Sequence, residues 1–366
     1  MTMKQQYFQV PSKDITSLYF HPDGKKLLVT SKTSGLLMYS LISNKRPFAF
    51  RADNFSPIRG VISKDGELIV GASFEGKVAL WKNHQDKPIA ICQGHSAPIN
   101  DMAIHYKAGC IMTASNDKCI KLWDQNLKFI KSFTAHSSQV TACAFDQNGK
   151  IAISGDASGT ILLWDFYEPE KGPVWDFHMC QNRKDPIKSI DIDSNGGAFL
   201  VLTEKGHLGL FAIRNPEYVI AHPFKAAPFM AKLHPKLPFI LCTSYQKDEI
   251  IYDATRNSVL FTCQGHENPI IYCAWSHMGD YFATADNNGV VIYWPTPQPP
   301  KTAPIVTPRK STITIEPQPL PLGVISIDIL VEELNILTAH VNEYNAKLAD
   351  QEERVTDISQ EYRWQL

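Results

Sequence analysis

This chain is short of almost everything that announces chemistry or a membrane. Its eight cysteines include no C-x-x-C pair and no paired histidine cluster accompanies them, which argues against the common zinc and thiol-redox frameworks. No apolar run approaches the ~20 residues that cross a bilayer, and Met1–Val10 is too polar for a secretion signal. Neither sign of charge is in excess, with 36 Lys and Arg against 37 Asp and Glu, so the strong basic footprint of a nucleic-acid binder is missing. The expectation is a protein with no metal and no cofactor that meets neither membrane nor nucleic acid.

The cysteines that recur do so at matching places. Cys92 and Cys263 stand in the related runs Cys92-Gln93-Gly94-His95 and Cys263-Gln264-Gly265-His266, and Cys143 matches Cys273. Such recurrence reads as small buried thiols in strands rather than ligands or nucleophiles. Reduced thiols fit a cytoplasmic home.

What is present, from Ile15 to Trp294, is one unit written seven times. In each, a Gly or Asp turn precedes an apolar strand with an aromatic end: Trp81, Trp123, Trp164, Phe211, Tyr252 and Trp294, with Ser40 at the matching place in a degenerate first copy. The spacings are 41 or 42 residues except for the 47 between Trp164 and Phe211. That period signals a β-propeller in which each unit is one four-stranded blade. The fourth copy shows the pattern, with Val140–Phe145 as first strand, a turn at Asn148-Gly149, Ile151–Ser154 as second strand and Thr160–Trp164 as third.

The last copy runs into Pro295, Pro297, Pro299 and Pro300, which cannot donate to a sheet ladder, so its outer strand must come from elsewhere. Residues 4–9 can supply it: Phe8 lies seven residues before Ile15, as Phe133 does before Val140 and Cys263 before Ile270. The predicted organisation is a seven-bladed propeller over 1–294, a Pro-rich linker over 295–323 and an α-helical coiled-coil segment over 324–366.

Gly94-His95 with Trp123-Asp124, and Ala135-His136 with Trp164-Asp165, resemble the WD-repeat family, and Gly265-His266 with Trp294-Pro295 keeps the start of that signature. The resemblance covers about four fifths of the chain. It implies that His95, Ser115, Asp117 and Trp123 form a hydrogen-bonded strut within one blade rather than a catalytic site. A catalytic triad also needs an oxyanion site and a pocket, which nothing in the sequence suggests. Ser158 and Asn288 stand where blade three has Asp117, so weaker struts are expected in blades four and seven. His21 before Pro22-Asp23-Gly24 and His234 before Pro235 read as turn residues.

Candidate contact residues lie in loops that the repeat brings to one rim. Phe74, Asn116, Glu204, Tyr245 and Asn287 fall between second and third strands, while Arg59, Arg183, Lys184 and Lys188 fall near the starts of first strands. Exposed aromatics and Arg are typical interface anchors. The longer excursion Phe166–Pro173 is a further candidate.

Nine prolines between Pro295 and Pro321 make an extended tether with a reach of about 80 Å. Beyond it, Ile327, Leu330, Leu334, Leu337, Val341, Tyr344, Leu348, Gln351, Val355, Ile358 and Tyr362 alternate at spacings of three and four, the seam of a coiled coil. A lone helix would leave that seam wet, so a helix partner is expected, either a second copy or a foreign helix, the alternative being that the stripe packs back on the propeller.

The segment Asp328-Ile329-Leu330-Val331-Glu332-Glu333-Leu334-Asn335-Ile336-Leu337-Thr338-Ala339-His340-Val341 resembles the C-terminal coiled coil of the proteome-of-centriole WD-repeat family. The order of propeller, low-complexity linker and short helix is similar to that family's throughout. The resemblance implies a non-catalytic structural protein of centrioles, basal bodies and cilia or flagella that binds tubulin in the microtubule wall and other centriolar proteins. Residues 1–323 hold 33 basic against 28 acidic side chains, a mild excess suited to an acidic surface. The alternative is a WD-repeat adaptor that presents partners to a soluble complex such as a ubiquitin ligase.

Overall fold

The computed structural model describes residues 6–43, 45–106, 108–146, 151–178, 184–193, 197–213, 218–222, 228–244, 248–254 and 258–297. The chain divides into two compact units, Met1–Pro299 and Pro300–Leu366. All described residues lie in the first. The expected linker and the coiled-coil seam (Ile327, Leu330, Leu334, Leu337, Val341, Tyr344, Leu348, Gln351, Val355, Ile358 and Tyr362) lie outside the described residues, as do Lys4, Gln5 and the Asn148-Gly149 turn.

Seven four-stranded antiparallel sheets form the first unit, each a meander from the centre outward. The innermost strands are Ile15–Phe20, Pro57–Ile62, Ile99–His105, Val140–Phe145, Ile187–Ile192, Pro228–Leu233 and Ile270–Trp275. Each neighbours the next, and Ile270–Trp275 neighbours Ile15–Phe20, so the seven blades close into a ring. In blade seven the outermost strand is Gln6–Gln9, paired antiparallel with Val290–Tyr293. Phe8 of that strand stacks on Tyr39 of blade one at 4.3 Å, so the closing strand also seals the joint between last blade and first.

The apolar core is divided among the joints between blades. Trp81 of blade two packs on Leu28, Leu36 and Phe50 of blade one. Trp164 packs in the same way on Met112 and Phe133 of blade three, and Trp294 on Phe239 and Leu241 of blade six. Alternation along each strand sends one row of side chains to each neighbouring blade. A blade alone would leave both rows wet, so stability belongs to the stack.

Register corrects one position in blade one. Trp81 faces Ile69, Trp123 faces Ile111 and Trp164 faces Ala152, and the residue opposite the equivalent Leu27 is Tyr39, not Ser40. Tyr39 is buried against Ala283 and Val291 of blade seven. A shift of one residue turns a strand side chain to the opposite face, so Ser40 cannot take that place.

Hairpin turns at the end of the first strands add a second kind of joint. His21 and His234 lie in such turns, and both reach across to the next blade: His21 Nε2 is 3.3 Å from the Gly66 carbonyl and His234 Nε2 is 3.0 Å from the Gly279 carbonyl. Gly66 and Gly279 have φ of +79° and +77°, and a Cβ at either would collide with the imidazole. They are turn residues that also latch neighbours.

Candidate protein-binding face

The loop before each first strand and the turn between second and third strands share one end of a blade. In blade three His95 ties them together. Its Nδ1 lies 2.9 Å from an Asp117 carboxylate oxygen and its Nε2 lies 2.8 Å from Thr113 Oγ1. Trp123 Nε1 donates to the same Thr113 oxygen at 3.0 Å. A carboxylate only accepts, so Nδ1 carries the proton and Nε2 accepts from the Thr113 hydroxyl. The strut is thus a directed chain from indole to hydroxyl to imidazole to carboxylate.

Its hydroxyl member is Thr113 and not Ser115. The two side chains share a face of the strand because they are two residues apart, and only Thr113 is within reach of Trp123. Ser115 Oγ instead donates to the Pro98 carbonyl at 2.9 Å, fixing the loop ahead of the first strand.

Blades four and seven carry complete struts, contrary to the weakening expected from Ser158 and Asn288. His136 meets Asp156 at 3.0 Å and Ser154 at 2.7 Å, and Trp164 donates to Ser154 at 2.8 Å. His266 meets Asp286 at 3.1 Å and Thr284 at 2.9 Å, and Trp294 donates to Thr284 at 3.0 Å. The carboxylate comes from two residues earlier than in blade three. Ser158 then becomes a donor to Asp156, through its backbone at 2.8 Å.

Burial opposes the charge of Asp156, yet hydrogen bonds from His136 and Ser158 outweigh it and bring its pKa down to about 2. Asp117 is lowered in the same way, by His95. Burial lowers His95 and His266 despite their carboxylate neighbours. Each hydroxyl–imidazole–carboxylate chain superficially resembles a nucleophile with its base. Thr113, Ser154 and Thr284 are fully buried, however, and a substrate has no route to them. The chains are structural.

The exposed chemistry lies around them. Phe74 is 55% exposed, and Glu204 and Asn287 are exposed, held by backbone bonds to Pro186 and Pro269 respectively. Asn116 is half-buried and accepts from Asn100 Nδ2 at 2.7 Å. Lys184 is exposed, its carbonyl accepting from Lys205 at 2.8 Å. Tyr245 and Arg183 lie outside the described residues. The excursion Phe166–Pro173 sits between third and fourth strands, at the other end of its blade, where Lys131 donates to the Tyr167 carbonyl at 2.8 Å.

Arg59 is not a rim residue. It is 15% exposed and lies in the central channel, where its Nε donates to Asp101 at 2.9 Å. The cause is a bulge. Every first strand shifts register after its first residue, between Ile15 and Ser17, Pro57 and Arg59, Ile99 and Asp101, and likewise in the other four blades. The extra residue turns outward and the next turns into the channel.

The bulged residues are Thr16, Ile58, Asn100, Thr141, Lys188, Phe229 and Ile271, all half-exposed. Sequence reading found only Lys188 among them. Several hand over to the next blade: Asn100 Nδ2 donates to the Val140 carbonyl at 2.8 Å, Thr141 Oγ1 to that of Ile187 at 2.5 Å, and the Lys188 ammonium lies 3.3 Å from the centre of the Phe229 ring. Burial brings the Lys188 pKa down to about 8 against the opposing pull of Glu204. The signal that could have found this ring is the residue after the first apolar position of each copy.

Comparison with known proteins adds the following. The family described as WD domain, G-beta repeat matches residues 86–124, 127–165 and 257–295. The chain is similar to autophagy-related protein 16 of Arabidopsis thaliana, 19% identical over 64% of this chain and 46% of the relative. It is 24% identical to WD repeat-containing protein 55 of Mus musculus over 42% of this chain and 40% of the relative. It is 21% identical to the periodic tryptophan protein 2 homolog of Dictyostelium discoideum over 77% of this chain and 31% of the relative. The matches span less than half the length of each of these proteins. The matched repeats end in blades three, four and seven, where the buried struts are complete, so these three blades carry WD repeats.

Proposed function

We propose that this chain is a non-catalytic scaffold of centrioles, basal bodies and ciliary microtubules, gripping the microtubule wall through the rim of its ring. The observation that carries the binding role is the rim itself. Seven half-exposed bulged side chains, apolar, amide, hydroxyl and cationic, surround one end of the channel, with the exposed Phe74 beside them. Aromatic and cationic anchors on a preformed frame are what a protein partner grips, and the buried struts hold the loops that present them.

The microtubule wall as partner rests on the resemblance of Asp328–Val341 to the centriolar family and on the mild basic excess of residues 1–323. Tagged full-length chain expressed in a ciliated cell should collect in puncta at the basal body. Diffuse signal without puncta would instead favour the adaptor reading, in which the same rim serves a soluble complex.

A further inference from the structure

The channel of the ring holds a cavity of about 550 Å³ walled by the first strands of all seven blades. At one end it stops at Arg59 and Asp101, and at the other it reaches the turns that follow the first strands, where Pro22, Lys64 and Pro235 line it. It therefore faces away from the bulged rim, and what it holds is independent of what the rim binds.

Two carboxylates and two cations lie inside. Asp101 accepts from Arg59 Nε at 2.9 Å, from the Met102 amide at 2.9 Å and from the Cys143 amide at 3.1 Å. Asp191 accepts from Lys232 Nζ at 3.2 Å and from the Leu233 amide at 2.7 Å. The acceptors are well occupied. The donors are not: a guanidinium offers about five N–H groups and an ammonium about three, yet among the described residues Arg59 gives only to Asp101 and the Thr16 carbonyl, and Lys232 only to Asp191.

Burial works against both charges, but Asp101 holds Arg59 protonated, and Asp191 and Asp101 do the same for Lys232. Both cations line the same cavity. Lys64, exposed at the mouth, adds a third positive charge to the lining. Across the channel the Tyr106 hydroxyl meets both the Tyr19 hydroxyl and the His277 ring, the latter at 3.1 Å, joining blades three, one and seven.

We propose that the channel cavity is a binding well for a small anion bearing carboxylate or phosphate groups, held by Arg59 and Lys232 and drawn in past Lys64. Charge-assisted bonds are the strong ones, and the N–H groups of Arg59 and Lys232 that bond to no described residue are open to an acceptor that enters the cavity.

Isothermal titration of the full chain with inorganic phosphate and, separately, citrate tests this. The expected result is saturable one-to-one binding, weakened about tenfold or more by Lys232→Met or Arg59→Met. Lys64→Ala should weaken it about threefold, and Lys171→Ala, outside the lining, should leave it unchanged. Circular dichroism shows whether the two buried variants fold, and if either fails, Lys64→Ala still decides because that side chain is exposed. No saturable binding of either anion up to about 10 mM, or binding that Lys64→Ala leaves intact, overturns the proposal.

Discussion

Blades three, four and seven tie their loops with a histidine placed before the first strand, while blades one, two and five, within the same ring and register, place the partners differently. In blade one Asp14 accepts from Ser31 at 2.8 Å and from Thr33 at 2.9 Å. In blade two Glu75 accepts from the Ser56 amide at 3.0 Å. Blade five reverses the usual roles, with Asp185 in the loop and His207 in the turn, 2.6 Å apart. A carboxylate bonds the same two loops in each case, although its position in the sequence moves. The ring needs the tie, not a particular residue to make it, which is why the family pattern finds only three repeats where the structure has seven blades.

The comparison breaks most sharply at the joints between blades, which both groups share. Trp81→Ala in blade two removes a fully buried indole and should cost about 3–5 kcal/mol in urea denaturation. Trp164→Ala in blade four should cost about 1 kcal/mol more, because its indole donates to the buried Ser154 at 2.8 Å, whereas that of Trp81 reaches the Arg51 carbonyl only at 3.3 Å. Equal losses would mean that the strut adds nothing to the packing.

Next in size is the strut itself. Asp156→Ala leaves the buried His136 Nδ1 without its acceptor and should cost about 2–3 kcal/mol, whereas Asp14→Ala in blade one, where the exposed Thr33 hydroxyl can turn to water and Ser31 keeps Ser12 as a partner, should cost about 1 kcal/mol. Deleting residues 1–10 removes the closing strand of blade seven, and a fall of several degrees in Tm is expected. An unchanged melting curve would count against closure by that strand.

Acid should separate the groups most gently. His95 and His266 sit below their ordinary value of 6.5 in the fold, so the unfolded chain takes up protons first and stability is lost as pH falls through 6.5. Asp117 and Asp156 also sit below their ordinary value of 3.8, so a second loss begins as pH falls through 3.8 and runs, for Asp156, to about 2. A His95→Gln, His266→Gln double variant should flatten the first step in a Tm profile against pH and keep the second.

The blades were legible because period and alternation are properties of the chain that packing cannot hide. Trp81, Trp123, Trp164 and Trp294 fall at their predicted places, and Gln6–Gln9 lies on Val290–Tyr293. The site was less legible, for two physical reasons. Alternation cannot distinguish Thr113 from Ser115, or Asp156 from Ser158, since residues two apart share a face and only reach decides between them. A bulge reverses inside and outside by one residue, which sent Arg59 into the channel and left Ile58 on the rim.

The central claim is that the rim of the ring is the gripping surface, and co-sedimentation with polymerised microtubules tests it most directly. Wild-type chain should pellet with the polymer, and a Phe74→Ala, Lys188→Met double variant should bind at least about fivefold more weakly with an unchanged Tm. Equal binding by the two proteins, or wild-type chain left in the supernatant, would contradict the account.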